Sequence, residues 1–252
     1  MVRTSSTAWA IVLRTVAYGE SDRVVTLLGR STGKVAALAR GARKSARRFS
    51  GGLGMGASGQ ALLRERAGSE LLILEGLDVT QARLGLAADL GKTAHAAYAL
   101  ELCERLLPAR HPEPAVFDWL AEFLDRLEAG RATAERLRVF ELGLLAKLGY
   151  GPTLDRCAVC GREDLTDQTM RWHPTRGGAV CSGCAPRGDL LTAPVRRALL
   201  SLGRMSLSEA DELVLDRDTG AGCRRALLEL VRDHADAPLR SLVFIEKMGG
   251  RV

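Results

Sequence analysis

Residues 23–52 read RVVTLLGRSTGKVAALARGARKSARRFSGG, and the way this stretch divides decides the fold. RVVTLLG and GKVAALARG are short runs rich in Val, Leu and Ala, and RSTG is the turn they share. Upstream, TAWAIVLRTVAY at 7–18 is a third run of the same kind. Downstream, GQALLRER at 59–66, the turn AGS and ELLILEGLDVT at 70–80 form a hairpin. That makes about five strands in about 80 residues. A small closed barrel buries so many short strands without leaving free edges. The glycines at 51, 52, 54, 56 and 59 bend a strand at a barrel corner or loosen the connection before it.

The same stretch carries most of the charge argument. Arg40, Arg43, Lys44, Arg47 and Arg48 crowd one connection with no acid among them. No Asp or Glu occurs between Asp22 and Glu65, an interval that holds nine Lys and Arg. The whole chain has a net charge of +6, so the remainder is slightly acidic and the positive field sits at the N-terminal end. An isolated charge run is usually a solvated loop that aids solubility. The acid-free interval around it points instead to an anionic partner with a phosphate backbone. Arg30 and Lys34 flank the preceding turn and join the expected nucleic-acid contacts. The region has three aromatic residues, Trp9, Tyr18 and Phe49. Phe49 adjoins the basic run and is the candidate for stacking on bases; Trp9, inside a strand, is expected in the core.

From about residue 84 the period changes to that of helices. KTAHAAYALELCERLL stops at Pro108, and EPAVFDWLAEFLDRLEAG places Val116, Leu120, Phe123 or Leu124, and Leu127 on one face. ATAERLRVFELGLLAKLGYG aligns Leu137, Phe140, Leu144 and Leu148, with Gly149 as its cap. Residues 152–190 lose all periodicity. Helices resume in TAPVRRALLSLGRM, with Thr192 as N-cap, then in GCRRALLELVRDHA and PLRSLVFIEKM.

The aperiodic segment contains Cys157 and Cys160, twenty intervening residues, then Cys181 and Cys184. Each C-x2-C is a tight turn whose two thiolates face one ion, and four thiolates suit Zn²⁺. Gly161 and Gly183 fit the turns. A redox pair usually stands alone before a helix, and an iron–sulfur cluster less often uses this spacing. His173, between the pairs, reads as a surface residue rather than a ligand. A site closed by four protein thiolates leaves no position for substrate, so one structural ion is expected. Cys103 and Cys223 sit on apolar helical patterns and read as small buried hydrophobes.

Signals of catalysis are missing. There is no G-x4-G-K-[ST], no G-x-G-x2-G after a strand and no H-E-x2-H. No catalytic residue is assigned, and no enzymatic activity is expected. No apolar run reaches the roughly 18 to 20 residues that span a bilayer, and no secretory leader is legible, so a cytoplasmic protein without a membrane partner is expected.

The order of parts resembles the bacterial recombination mediator family RecO. The resemblance rests on YGESDRVVTLLGRSTGK at 18–34, RGARKSARRFSGGL at 40–53, LGYGPTLDRCAVCG at 148–161 and RGGAVCSGC at 176–184. It implies an α+β multidomain fold. An N-terminal OB-fold barrel at 1–80 would precede a helical domain at 81–252, with the zinc module inserted at about 152–190. It further implies a non-enzymatic, nucleoid-associated DNA repair and recombination protein that binds single- and double-stranded DNA and anneals complementary strands. Its implied partners are RecR and the acidic C-terminal tail of single-strand binding protein. Through them it would help load the recombinase RecA. Arg105, Arg126, Arg131, Arg136 and Arg138 are candidates for a cationic rim around the tail. Some relatives lack the cysteines, so zinc would support folding rather than activity. The competing readings are a nucleic-acid-modifying enzyme with an OB-fold and a zinc ribbon, and a transcriptional regulator. The acid-free interval between Asp22 and Glu65 disfavours the first, and the lack of a basic recognition helix disfavours the second.

Overall fold

The structure, a computed structural model, describes residues 5–45, 48–49, 52–66, 68–163 and 168–247. Its first five strands are β1 (Ser5–Tyr18), β2 (Asp22–Gly29), β3 (Gly33–Ala39), β4 (Ser58–Arg66) and β5 (Ser69–Gln81). They close a barrel in the order β1-β2-β3-β5-β4. All neighbours are antiparallel except β3 and β5, which pair in parallel. This is the OB-fold, with no sheet edge left open. Alternate positions fill the interior: Ala10 and Val12, Val25 and Leu27, Val35 and Ala37, Ala61 and Leu63, and Leu72, Leu74 and Leu77. Small residues on β1 and β3 suit the narrow bore, where a larger side chain would collide with the opposite wall.

Helices follow: α1 (Leu90–Leu106), α2 (Pro114–Ala129) and α3 (Ala134–Lys147). The expected apolar face of α2 is buried in full, with both Phe123 and Leu124 inside. Gly149 takes φ +80° just after α3, as its expected role as a cap requires. Next come the short strands β6 (Met170–His173), β7 (Gly178–Val180) and β8 (Asp189–Leu191), in the order β7-β6-β8. The remaining helices are α4 (Ala193–Leu202), α5 (Arg217–His234) and α6 (Arg240–Lys247). Thr192 stands at the N-cap of α4, but its side chain makes no capping bond. α5 starts five residues before the expected Gly222. Asp216 accepts bonds from the amides of Asp218 and Thr219 at 3.2 and 3.0 Å and nucleates the extra turn. Gly222 within that helix lets α4 approach closely, since an added Cβ would overlap the Val195 side chain.

The chain forms two compact units. One holds the barrel, α1, α2 and α6. In it α1 packs on β1 and covers Ile11 and Leu13, and Glu101 accepts bonds from the amides of Arg240 and Ser241 that begin α6, at 2.9 and 2.7 Å. The other holds α3, the three short strands, α4 and α5. Among the described residues no helix is long and apolar enough to cross a membrane.

Candidate nucleic-acid interface and four-thiol centre

β3 ends at Ala39, and the basic run leaves the barrel there. Asp22 accepts a bond from the Gly41 amide at 2.7 Å, and the Arg43 amide donates to Ser21 O at 3.1 Å. These bonds tie the run to the turn between β1 and β2. Its far end is tied to β5, where the Leu77 amide donates to Arg48 O at 2.9 Å. Between the ties Arg40, Arg43, Lys44 and Arg48 are exposed. Arg43 donates to Glu20 O at 3.2 Å; Arg48 donates to Arg40 O at 2.7 Å and to Ser45 Oγ at 3.0 Å. Among the described residues no carboxylate pairs with any of the four, and their charge is uncompensated there. Arg47 lies outside the described residues.

The other expected contacts are placed differently. Arg30 is exposed, but it donates to both carboxylate oxygens of Asp118 at 3.0 and 2.9 Å. That hydrogen bond holds the Asp118 carboxyl below its usual range. Lys34 is half-buried and its ammonium donates to the Glu104 carbonyl on α1. Phe49 is not presented for stacking. It is 4% exposed and packs into the barrel core, while the Arg48 guanidinium lies 5.4 Å from its ring centroid. Trp9 shows the reverse. It is 46% exposed, because Ala8 and Ala10 on either side of it face the bore and strand alternation sends Trp9 outward. Tyr18, at the end of β1 beside the basic run, is 60% exposed. The alternation around Trp9 was a signal in the sequence. It was ambiguous because Ile11 and Leu13, on the same outward face, are buried.

Two of the arginines considered for a cationic rim are interior. Arg138 pairs with Glu141 at 3.1 Å, both buried, and Arg136 pairs with Asp211. Arg126 pairs with Glu122 one helical turn away at 2.9 Å.

The four cysteines converge. The sulfurs of Cys157, Cys160, Cys181 and Cys184 all lie within 4.8 Å of one another, and Cys160 and Cys181 are 3.9 Å apart. Local backbone bonds build each turn: the Gly161 amide donates to Cys157 O at 2.9 Å, and the amides of Cys184 and Ala185 donate to Cys181 O at 3.0 Å. Gly161 uses a left-handed conformation, φ +71°; Gly183 does not. The first turn is fastened to β7 by the Ala158 amide, which donates to Ala179 O at 2.8 Å. Gly178 makes this possible. At φ +137° it lies against the Thr153 backbone, where a Cβ would overlap Thr153 O. Burial opposes charge on Cys157, but bonds from the backbone at Cys160, Cys181 and Val159 outweigh it and bring the thiol down to about 6. Hydrogen bonds among the sulfurs push Cys184 up to about 12. Four thiols so close cannot all ionise unaided, and a bound cation removes that conflict. The donor set and spacing fit one metal ion. His173 stays apart, with its Nε2 3.0 Å from Arg187 O.

Fold and site together define an OB-barrel protein with an exposed cationic loop and a second, helical unit built around a four-thiol centre. The family model described as "Recombination protein O N terminal" matches residues 1–83, and "Recombination protein O C terminal" matches 87–242. The chain is 42% identical over 242 residues to the DNA repair protein RecO of Anaeromyxobacter sp. (strain K), covering 95% of each chain. It is 38% identical to that of Myxococcus xanthus (strain DK1622) and 39% identical to that of Geobacter sulfurreducens, covering 95% of this chain and 96% of each relative. The chain belongs to the RecO family of DNA repair and recombination proteins.

Proposed function

We propose that this protein is a non-enzymatic, cytoplasmic recombination mediator that holds DNA through the cationic loop of its barrel. It binds single and double strands and anneals complementary ones. With RecR and the acidic tail of single-strand binding protein as partners, it assists loading of RecA. The observation that carries the reading is the set Arg40, Arg43, Lys44 and Arg48, exposed and, among the described residues, without carboxylate partners, on a loop tied to the barrel at Gly41, Arg43 and Arg48. Contacts to phosphate are independent of sequence and leave base edges free, which annealing requires. Arg30 and Lys34, engaged by Asp118 and Glu104, are left out of this interface.

One Zn²⁺ on Cys157, Cys160, Cys181 and Cys184 is the proposed resident ion. Sulfurs about 2.3 Å from a tetrahedral zinc stand about 3.8 Å apart, close to the 3.9 Å between Cys160 and Cys181. The ion's role is structural. Metal analysis of the purified protein tests it, with one zinc per chain as the expected result.

Fluorescence-anisotropy titration of single-stranded DNA across salt concentrations tests the interface. Each phosphate contact adds about 0.7 to the slope of log affinity against log salt on single strands. Replacing Arg40, Arg43, Lys44 and Arg48 by Ala should flatten the slope by roughly 2 to 3. Equal slopes for wild type and variant would refute the interface.

A further inference from the structure

The outer face of the barrel beside the cationic loop carries an exposed aromatic surface. Strand register sets Trp9 beside Gln60 and Gln60 beside Asp78. The next row sets Thr7 beside Leu62 and Leu62 beside Gly76. Trp9, Thr7, Gln60, Leu62 and Asp78 are all exposed, and Leu62 adds apolar surface next to the indole. Among the described residues no hydrogen bond or ring contact engages the Trp9 side chain.

Thr7, Gln60, Leu62, Gly76 and Asp78 line a groove of about 430 Å³, with Arg48 on its wall. Gly76 keeps its floor low: a side chain there would come within 3.3 Å of Arg48 O. The basic run therefore ends at the rim of this groove. A single exposed tryptophan is ordinary on a protein surface. An indole near a leucine, on the sheet face that carries a groove walled by exposed Arg48, has the parts of a single-strand binding surface.

We propose that the outer face of β1, β4 and β5 around Trp9 is a stacking platform for the bases of single-stranded DNA. The charges orient the strand. Arg48, with Arg40, Arg43 and Lys44 beyond it, draws the phosphates to one side of the groove. Asp78, on the other side, repels phosphate. Bases then lie over Trp9 and Leu62. A duplex keeps its bases stacked inside and gains little from the platform, so this face favours single strands while the loop serves both forms. The inference rests on the DNA-binding reading above and adds a residue and a surface to it.

The test uses the full-length protein with oligo-dT and with a blunt duplex, comparing wild type, Trp9→Phe and Trp9→Leu. Saturating oligo-dT should quench tryptophan emission in wild type, and the quench should be lost in Trp9→Phe. Trp9→Leu should weaken oligo-dT binding by about fivefold to a hundredfold with an unchanged salt slope, and duplex binding by less than about twofold. Thermal melts should coincide with wild type, because the side chain is outside the core. The platform is refuted if wild type and Trp9→Phe quench alike, or if Trp9→Leu binds oligo-dT as wild type does. In that case a slope that still falls in the four-cation variant leaves the loop reading standing. A wild type that binds no DNA overturns both.

Discussion

In the barrel, side chains from five strands meet in one hydrocarbon interior, and Phe49 and Leu53 from the long connection fill it further. In the four-thiol module, β6, β7 and β8 span four, three and three residues. The buried residues there are Met170, Trp172, Ala179, Val180 and Leu191, with Leu154, Cys157 and Cys181, while Cys160 is exposed and Cys184 half-buried. The first region is stabilised by apolar area removed from water, at about 25 cal/mol per Å². The second instead gathers four thiols within 4.8 Å of one another. The difference teaches where each region can carry variation. A barrel outer face can change its chemistry freely because the interior holds it, whereas the module's form depends on four sulfurs and on glycines such as Gly178.

The largest expected effect breaks the module and spares the barrel. Chelation, or Cys181→Ser, should remove hydrogen-exchange protection from 152–190 while β1–β5 stay protected, since structural zinc contributes on the order of 10 kcal/mol in small zinc-folded peptides. Protection that survives chelation would mean the apolar residues suffice. Phe49→Ala strikes the barrel instead. Truncating a buried aromatic should cost about 3–5 kcal/mol of unfolding free energy in denaturant titration. Arg48→Ala next to it should change stability by no more than about 0.5 kcal/mol. Equal stability losses would mean that Phe49 is not core.

Thiol chemistry sharpens the contrast further. Burial pushes Cys103 and Cys223 up to about 12, above the roughly 8.5 of an unfolded thiol. Folding therefore favours their protonated form. The resulting stability is complete below about pH 8.5 and declines as pH rises toward 12. A thiol reagent at neutral pH should modify the four module cysteines after chelation, and Cys103 and Cys223 only on unfolding. Thr133→Ala gives the smallest effect. It removes the bond that the Thr133 side chain accepts from the Arg136 amide at 3.4 Å. It should cost about 1 kcal/mol, read as a small fall in the melting midpoint.

Much of this was legible in the residues. Turn chemistry at RSTG and AGS and the alternation of the runs between them specified five strands. The C-x2-C pairs declared the thiol centre, because two tight turns and four soft donors leave few other chemistries. The absence of acids between Asp22 and Glu65 located the positive field. These signals are local: they depend on neighbours in the chain or on totals along it.

What only the tertiary structure decided is which side of an element meets water. Ile11 and Leu13 are covered because α1 lies on β1, while Trp9, on the same outward face, is exposed. Phe49 closes the barrel from a connection that reads as a polar loop. Lys34 resembles Arg40 in sequence, but the Glu104 carbonyl captures it, and Asp118 captures Arg30. Arg136 and Arg138 are buried because Asp211 and Glu141 meet them there. Glu141 stands one helical turn from Arg138; in the other cases the deciding partner lies elsewhere in the chain or in packing, so period and composition carry no record of it. The sequence determined the elements, the charge field and the metal-binding donors. Packing determined which cations remain uncompensated and which aromatic ring faces solvent.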